Sequence, residues 1–427
     1  MDLACDPTQP PPAKRTTEPN CTTIDSLGDD ILREILLLLP SLTALIRAAF
    51  TCRAWRRAVA SSPSFRRRFR ALHPSPPLGL FFTRPRSVHR PNVPALPDFV
   101  PTRRPDKDLA AAVRCGDFFI TSIPDRRGET PCWDIVDCRD GFLLLNDWDN
   151  SLLALFNPYS RWSRGVFDMP DGDIFGDYRG IFGLRSIHLI YSDEEPMSFR
   201  VVCLVYDESR VRALVFSPSD TSGWHIGPWV EVSPTPQTDS EWLEEGMQAN
   251  GLFIFWVCVD LKIVVTLNTT TLEFSVDELP QCLTAVDQDV SFDVGETMDG
   301  APCIVYAVEL TIGVLLRKAD DDGVEKWVQD RVVPLETQLA RIIEDLPLPG
   351  DLQLNVAAIR NGFVYLATSD MYHEPQNPCW FLSLCLETME LEMLFQRTFD
   401  NQIYPYVLPW PRSLVGNYGR FALEVAP

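Results

Sequence analysis

Metal chemistry and nucleophilic catalysis both need reactive side chains gathered at one point, so histidine and cysteine spacing comes first. The five histidines (73, 89, 188, 225 and 373) are scattered, and none lies three or four residues from another histidine or a cysteine. Such a step is what lets two ligands share one zinc ion on a helical turn or short loop. Cys132 and Cys138, like Cys379 and Cys385, have five residues between them, where structural zinc pairs are separated by roughly two to four. No Gly-x-Ser-x-Gly elbow presents a serine, and no phosphate loop ends in Gly-Lys-Ser or Gly-Lys-Thr. The glycines at 172, 176, 180 and 183 fit neither dinucleotide nor phosphate-loop spacing and read as a loop. The sequence predicts no metal, no cofactor and no catalytic centre; a protein that makes no bonds must work by binding.

Charge and hydropathy narrow the class of partner. Of the 427 residues, the first 90 hold 14 basic and 7 acidic side chains, and the rest hold 24 and 52. A part at +7 is thus joined to a part at −28. No nucleic-acid partner is expected for the acidic part, which would repel phosphates. The acidic runs 193–195, 241–245 and 320–322 read as solvated loops, with steering of a basic partner as the sharper alternative. The longest apolar runs, 35–39 and 252–259, fall far short of the ~20 residues of a spanning helix, and the N-terminus has no apolar core. No membrane association is expected, and the expected location is the cytoplasm or nucleus. In that reducing setting Cys203, Cys258 and Cys303, each within an apolar run, read as small buried hydrophobes rather than disulfide partners.

Stepping along the chain, a Pro/Thr-rich leader over residues 1–21 gives way to a helical module at 22–72. Ile31, Leu32, Ile35, Leu36 and Leu39 define a first helix, opened by a capping-box-like 26–29 and stopped by Pro40, with Leu37 and Leu38 on its other faces. Leu42, Leu45, Ile46 and Ala49 predict a second helix; Cys52, Trp55, Val59 and Ala60 predict a third, closed by 61–63. A further turn over 65–72 carries Arg66, Arg67, Arg68 and Arg70, read as a solvated face. A helix apolar all round must be covered on more than one side, and three short helices bury too little of one another. Either a protein partner or the chain's own second domain must cover the remainder, and the residues alone leave both open.

Residues 27–65, LGDDILREILLLLPSLTALIRAAFTCRAWRRAVASSPSF, resemble the F-box. The match lies in the leucine/isoleucine ladder, the proline, and the Cys-Arg-x-Trp-Arg signature at 52–56; the trailing Ser-Ser-Pro-x-Phe at 61–65 is similar to plant members. The resemblance implies a substrate receptor of a cullin–RING ubiquitin ligase, without enzymatic activity of its own. Its partners would be a Skp-family adaptor and, through it, the cullin and RING subunit. Leu27, Ile31, Leu32, Ile35, Leu36, Leu39, Pro40, Leu42, Leu45 and Ile46 would supply the adaptor contact. Cys52 and Trp55 would hold the helices together while presenting one edge. Gly28 departs from the pattern, standing where the family usually has proline.

Beyond a proline-rich hinge at 73–77 the apolar period falls from 3.6 to 2, and a unit recurs: polar residue, glycine, apolar strand, turn, second strand. Asp140-Gly141, Asn250-Gly251 and Asn361-Gly362 lead its clearest copies, the glycines standing 110 and 111 residues apart. Weaker copies near 79, 200 and 302 fill the intervals. A period of ~50–60 residues with several strands per unit is the signature of a β-propeller, and residues 78–427 have room for about six blades. The Asx-Gly steps suit the positive φ of tight turns and read as architecture. There is no Gly-Gly doublet of kelch type. The region 381–417 is similar to the C-terminal part of a large plant group of F-box proteins, which brings no substrate with it. The expected fold is therefore multidomain, α followed by all-β: a three-helix F-box module, then a propeller-like domain of about six blades that binds an unknown target protein. A non-degradative scaffold and a propeller hydrolase are the alternatives.

Overall fold

A computed structural model describes residues 27–83, 96–102, 107–123, 132–170, 174, 182–191, 198–218, 223–237, 242–284, 290–319, 325–343, 352–368, 379–397 and 402–416. Four helices come first: α1 (Asp29–Leu37), α2 (Leu42–Ala49), α3 (Arg53–Ala60) and α4 (Pro63–Leu72). Each boundary has a local cause. Gly28 is the N-cap of α1 and offers no side chain, but Asp29 and Asp30 place negative charge on the first turn. Ser26 lies outside the described residues. Ser41 Oγ accepts from the Ala44 amide, Cys52 Sγ from the Trp55 amide, and Ser62 Oγ from the Phe65 amide, capping the other three helices. The cap at Ser62, with Pro63 in the first turn, makes α4 a full helix of ten residues, longer than the single turn expected.

The rest is a six-bladed β-propeller. Five blades are sequential antiparallel sheets. The first comprises Asp134–Arg139, Phe142–Asp147, Leu152–Asn157 and Trp162–Asp168. The second has Phe182–Tyr191, Phe199–Asp207 and Arg210–Phe216, its outer edge shared by two short strands, Trp224–Ile226 and Val230–Glu231. Met247–Ala249, Phe253–Cys258, Ile263–Asn268 and Glu273–Glu278 form the third; Val290–Glu296, Pro302–Val308, Thr311–Ala319 and Glu325–Pro334 the fourth. The fifth comprises Asn355–Arg360, Phe363–Ala367, Cys379–Cys385 and Leu391–Arg397. The sixth takes its inner strand, Ile403–Val407, from the C-terminal end of the described chain. Its outer strands, Pro77–Phe82 and Asp98–Pro101, come directly after α4. Both ends of the domain therefore close the ring.

Each blade is buried on both faces, which explains the nearly unbroken apolar strands. In Phe142–Asp147, Leu143 and Leu145 face the sixth blade, while Phe142 and Leu144 face the second. The other four interfaces between neighbouring blades have apolar cores of the same kind. Cys203, Cys258 and Cys303 are fully buried free thiols in these layers.

The three Asx-Gly steps join first to second strands in the first, third and fifth blades. Paired positive φ angles at Asp140/Gly141 (49°, 79°) and Asn361/Gly362 (50°, 77°) fit two-residue hairpin turns of type I′; Asn250/Gly251 (48°, 64°) have the same signs, but Ala249 pairs with Phe253, so that turn carries one residue more. Glycine at 141 has a second reason: a Cβ there would stand 2.6 Å from the Pro409 ring. The inner strand preceding each turn, short and mixed in polarity, lacked the apolar run by which the repeat was read.

Candidate functional site

The helical module divides its apolar residues between two faces. Leu32, Leu36, Leu42, Leu45, Ala49, Ala58, Val59, Phe65 and Phe69 are buried in one cluster, with Leu39, Ile46 and Trp55 packed at its margin. That cluster also contains Trp410, Leu414 and Val415, from the segment that follows the last propeller strand. Phe69 meets the Trp410 ring edge-on at 6.1 Å, and the Arg70 guanidinium lies over that ring at 5.1 Å. Arg56 Nε donates to the Ser413 carbonyl at 2.9 Å. The chain's own second domain thus covers one side of the module.

The other side has no cover among the described residues. Ile31 (57% exposed), Ile35 (40%) and Leu38 (83%) are spaced four and three residues apart, which puts them on one stripe of α1. Phe50, just after α2, is 53% exposed, with the Arg56 guanidinium 5.6 Å from the centre of its ring. Of the sequence-predicted residues, Ile31, Ile35 and Pro40 are exposed, and Leu27, Leu39, Ile46, Cys52 and Trp55 are half-buried. Leu32, Leu36, Leu42 and Leu45 are interior. Leu38 and Phe50 were not singled out, because α1 is apolar on every face and periodicity alone does not say which face a second domain takes.

The arginines of α4 are not one solvated face. Arg66 is buried and its Nη1 donates to the Ala60 carbonyl at 2.6 Å. Arg68 pairs with Glu34 of α1 at 2.7 Å, and Arg70 covers Trp410. An outlying contact, Arg47 with both oxygens of Asp108 at 2.8 and 2.9 Å, ties α2 to the propeller-side helix α5 (Lys107–Cys115).

In the propeller, the inner strands gather a buried charged cluster at the channel end that carries the Asx-Gly turns. Arg139 of the first blade reaches the opposite fourth blade, its Nη1 3.1 and 3.2 Å from the two Glu296 oxygens. It also donates to the side chain and backbone carbonyl of Gln248 in the third blade. Glu296 accepts the amides of Asn250 and Asn361, so one carboxylate ties two Asx-Gly turns to its own blade. Asp137 accepts the Leu189 amide of the second blade, with Arg360 of the fifth 3.7 Å away. Burial alone would raise the Glu296 carboxyl, but Arg139, Arg360 and the two amides hold it below its usual range. These side chains bind one another across the channel, as a structural bolt would.

His188, on the inner strand of the second blade, is buried, and its Nε2 has no hydrogen-bond partner among the described residues. Burial depresses its pKa to about 4 from 6.5, with Arg139 and Arg360 pushing the same way and Asp137 opposing. A depressed histidine stabilises the fold above pH 6.5, and that stability is lost as pH falls through 4. The full effect is on the order of 3 kcal/mol. Asp293 works in the opposite sense, since burial raises it to about 6 despite Arg360. The difference between wild type and His188→Gln isolates the histidine. Urea unfolding should show wild type losing stability relative to the variant between pH 6.5 and 4.5; parallel pH profiles would refute this.

Among the described residues no group of three or more His, Cys, Asp or Glu side chains is arranged to hold a metal ion, and no helix is long and apolar enough to cross a membrane. Trp148 and Tyr159 are exposed on loops of the first blade, whereas Trp133, Trp242 and Trp256 are core residues.

Comparison with known proteins identifies an F-box domain at residues 24–67. No curated protein matches the chain. Solved structures with a similar backbone include a protein of unknown function from Bacteroides caccae (10% identity, 66% of this chain and 89% of that one, TM-score 0.36). The β-propeller domain of Myceliophteria thermophila Cps50 (Swd1) follows at 10% identity, 63% and 75% coverage and TM-score 0.34. A virginiamycin B lyase from Staphylococcus aureus has 9% identity, 64% and 71% coverage and TM-score 0.30. At these scores none transfers a function, and none bears on the plant-like features at 61–65.

Proposed function

We propose that this chain, an F-box domain followed by a six-bladed propeller, is the substrate-recognition subunit of a Skp–cullin–F-box ubiquitin ligase. The module divides from the propeller at residues 73–77. Ile31 and Ile35, joined by Leu38, Phe50 and the accessible parts of Leu27, Leu39, Pro40 and Ile46, form the contact with the Skp-family adaptor. Leu32, Leu36, Leu42 and Leu45 shape that contact from beneath, and Cys52 and Trp55 fix α3 against it. The propeller holds the target protein. The chain makes and breaks no bonds; it raises the concentration of a target lysine near the cullin-held conjugating enzyme.

The observation that carries this reading is the uncovered stripe of α1 within a matched F-box domain. Large apolar side chains left exposed together mark an interface, and here the opposite side of the same helices is already occupied by Trp410 and Leu414. A scaffold that binds the adaptor without directing degradation would use the same stripe. Proximity labelling from the full chain in cells, with and without cullin inhibition, separates the two. A receptor labels proteins whose half-lives lengthen on inhibition and on loss of the chain; a scaffold labels proteins whose half-lives do not change.

A further inference from the structure

The segment over residues 408–416 belongs to two structures at once. It continues the inner strand of the sixth blade, Ile403–Val407, whose outer partners are the strands that follow α4. Some of its residues are fixed to the propeller. Leu408 donates its amide to the Pro76 carbonyl, Pro409 packs on Gly141, and the Arg412 guanidinium lies 4.7 Å from the Phe142 ring. Tyr406, just before it, donates its hydroxyl to the Gly141 carbonyl at 3.0 Å. Others complete the helical module, with Trp410, Leu414 and Val415 buried in one cluster with residues of α1–α4 and Gly416 close against the Ala60 carbonyl.

We propose that this segment is a clasp that couples ring closure of the propeller to adaptor binding. The proposal rests on the adaptor reading above and specifies how that site is regulated. The cause is geometric. The exposed stripe on α1 is presented by helices whose opposite face is completed only when Trp410 and Leu414 are in place. These residues are held there only while Ile403–Val407 is paired with Pro77–Phe82. An open ring withdraws the clasp, takes Trp410 from Phe69 and Ser413 from Arg56, and loosens α3 and α4, on which α1 and its stripe pack. Coupling between two sites is reciprocal, so a bound adaptor must in turn slow the opening of the sixth blade. A propeller that has not closed therefore presents a poor adaptor site, and an incompletely folded receptor is kept out of the ligase.

The test uses the full chain with a purified Skp-family adaptor and amide hydrogen exchange. In wild type, saturating adaptor should slow exchange in Pro77–Phe82 and Ile403–Val407, which lie outside the stripe. Trp410→Ala should speed exchange in α1–α4, leave the second to fifth blades unchanged, and weaken adaptor binding at least ten-fold. Phe82→Ala, in the closing blade and away from the F-box, should weaken adaptor binding as well, in proportion to its effect on exchange in the sixth blade. The coupling is overturned if adaptor leaves the sixth-blade strands unaffected, or if either variant loosens its own region while adaptor affinity stays at the wild-type value. A wild-type chain that binds no adaptor would instead remove the adaptor reading, while faster exchange of α1–α4 in Trp410→Ala would still test the clasp.

Discussion

Replacing Ile35 and Leu38 with aspartate will abolish adaptor binding by the full chain and leave its thermal unfolding nearly unchanged. Ile35 is 40% exposed on α1, and Leu38, the C-cap residue of that helix, is 83% exposed. Burying an aliphatic side chain of this size is worth about 1.5–3 kcal/mol. Only the exposed fractions of the two remain to be buried by a partner, so losing both removes roughly 2–4 kcal/mol, and the new carboxylates add a desolvation penalty at the centre of the contact. The expected loss exceeds ~100-fold in affinity, each factor of ten being about 1.4 kcal/mol. Exposed positions contribute little to folding, so stability should stay within about 0.5 kcal/mol. Leu36→Ala is a poorer probe. That leucine is 1% exposed in the module's own core, and truncation would cost about 2–5 kcal/mol of stability, mixing unfolding with binding. Titration of the adaptor alongside a melting curve distinguishes the two cases.

The second large effect concerns the bolt across the channel. Arg139→Met should destabilise the propeller by about 3–5 kcal/mol, because it leaves the Glu296 carboxylate buried without its main cation. Glu296 is 3% exposed and retains only two amides and the more distant Arg360. Adding Glu296→Gln to Arg139→Met removes the orphaned charge while an amide oxygen can still accept from Asn250 or Asn361. The double variant should therefore be more stable than the sum of the single effects by about 1–3 kcal/mol. Urea unfolding of the four species measures the cycle, and strict additivity would show that the pair is not coupled.

The parts of this fold that were legible in the sequence are those fixed by local chemistry. The Asx-Gly turns announce themselves because their paired positive φ angles favour Asn, Asp and Gly. The helical module is legible because its ladder and signature lie within 27–65. What was hidden depends on long-range pairing. Trp410 and Leu414 sit in a proline-rich stretch more than 340 residues from α3, with no local sign that they finish its core. The sixth blade is likewise assembled from both ends, so no contiguous repeat marks it. Arg139 and Glu296 are ordinary charged residues at strand ends until the ring places them face to face. For the site itself, the ladder named the right helices but not which of its members face outward. That division follows from how α1 packs on α3 and α4.

The proposed adaptor-binding surface is the stripe of α1 that the described residues leave exposed. Isothermal titration of the folded full-length chain with a purified Skp-family adaptor tests it most directly. The expected result is saturable one-to-one binding that is lost on changing Ile35 and Leu38 to aspartate. Absence of binding by the folded wild-type chain, or binding that survives those changes, would contradict it.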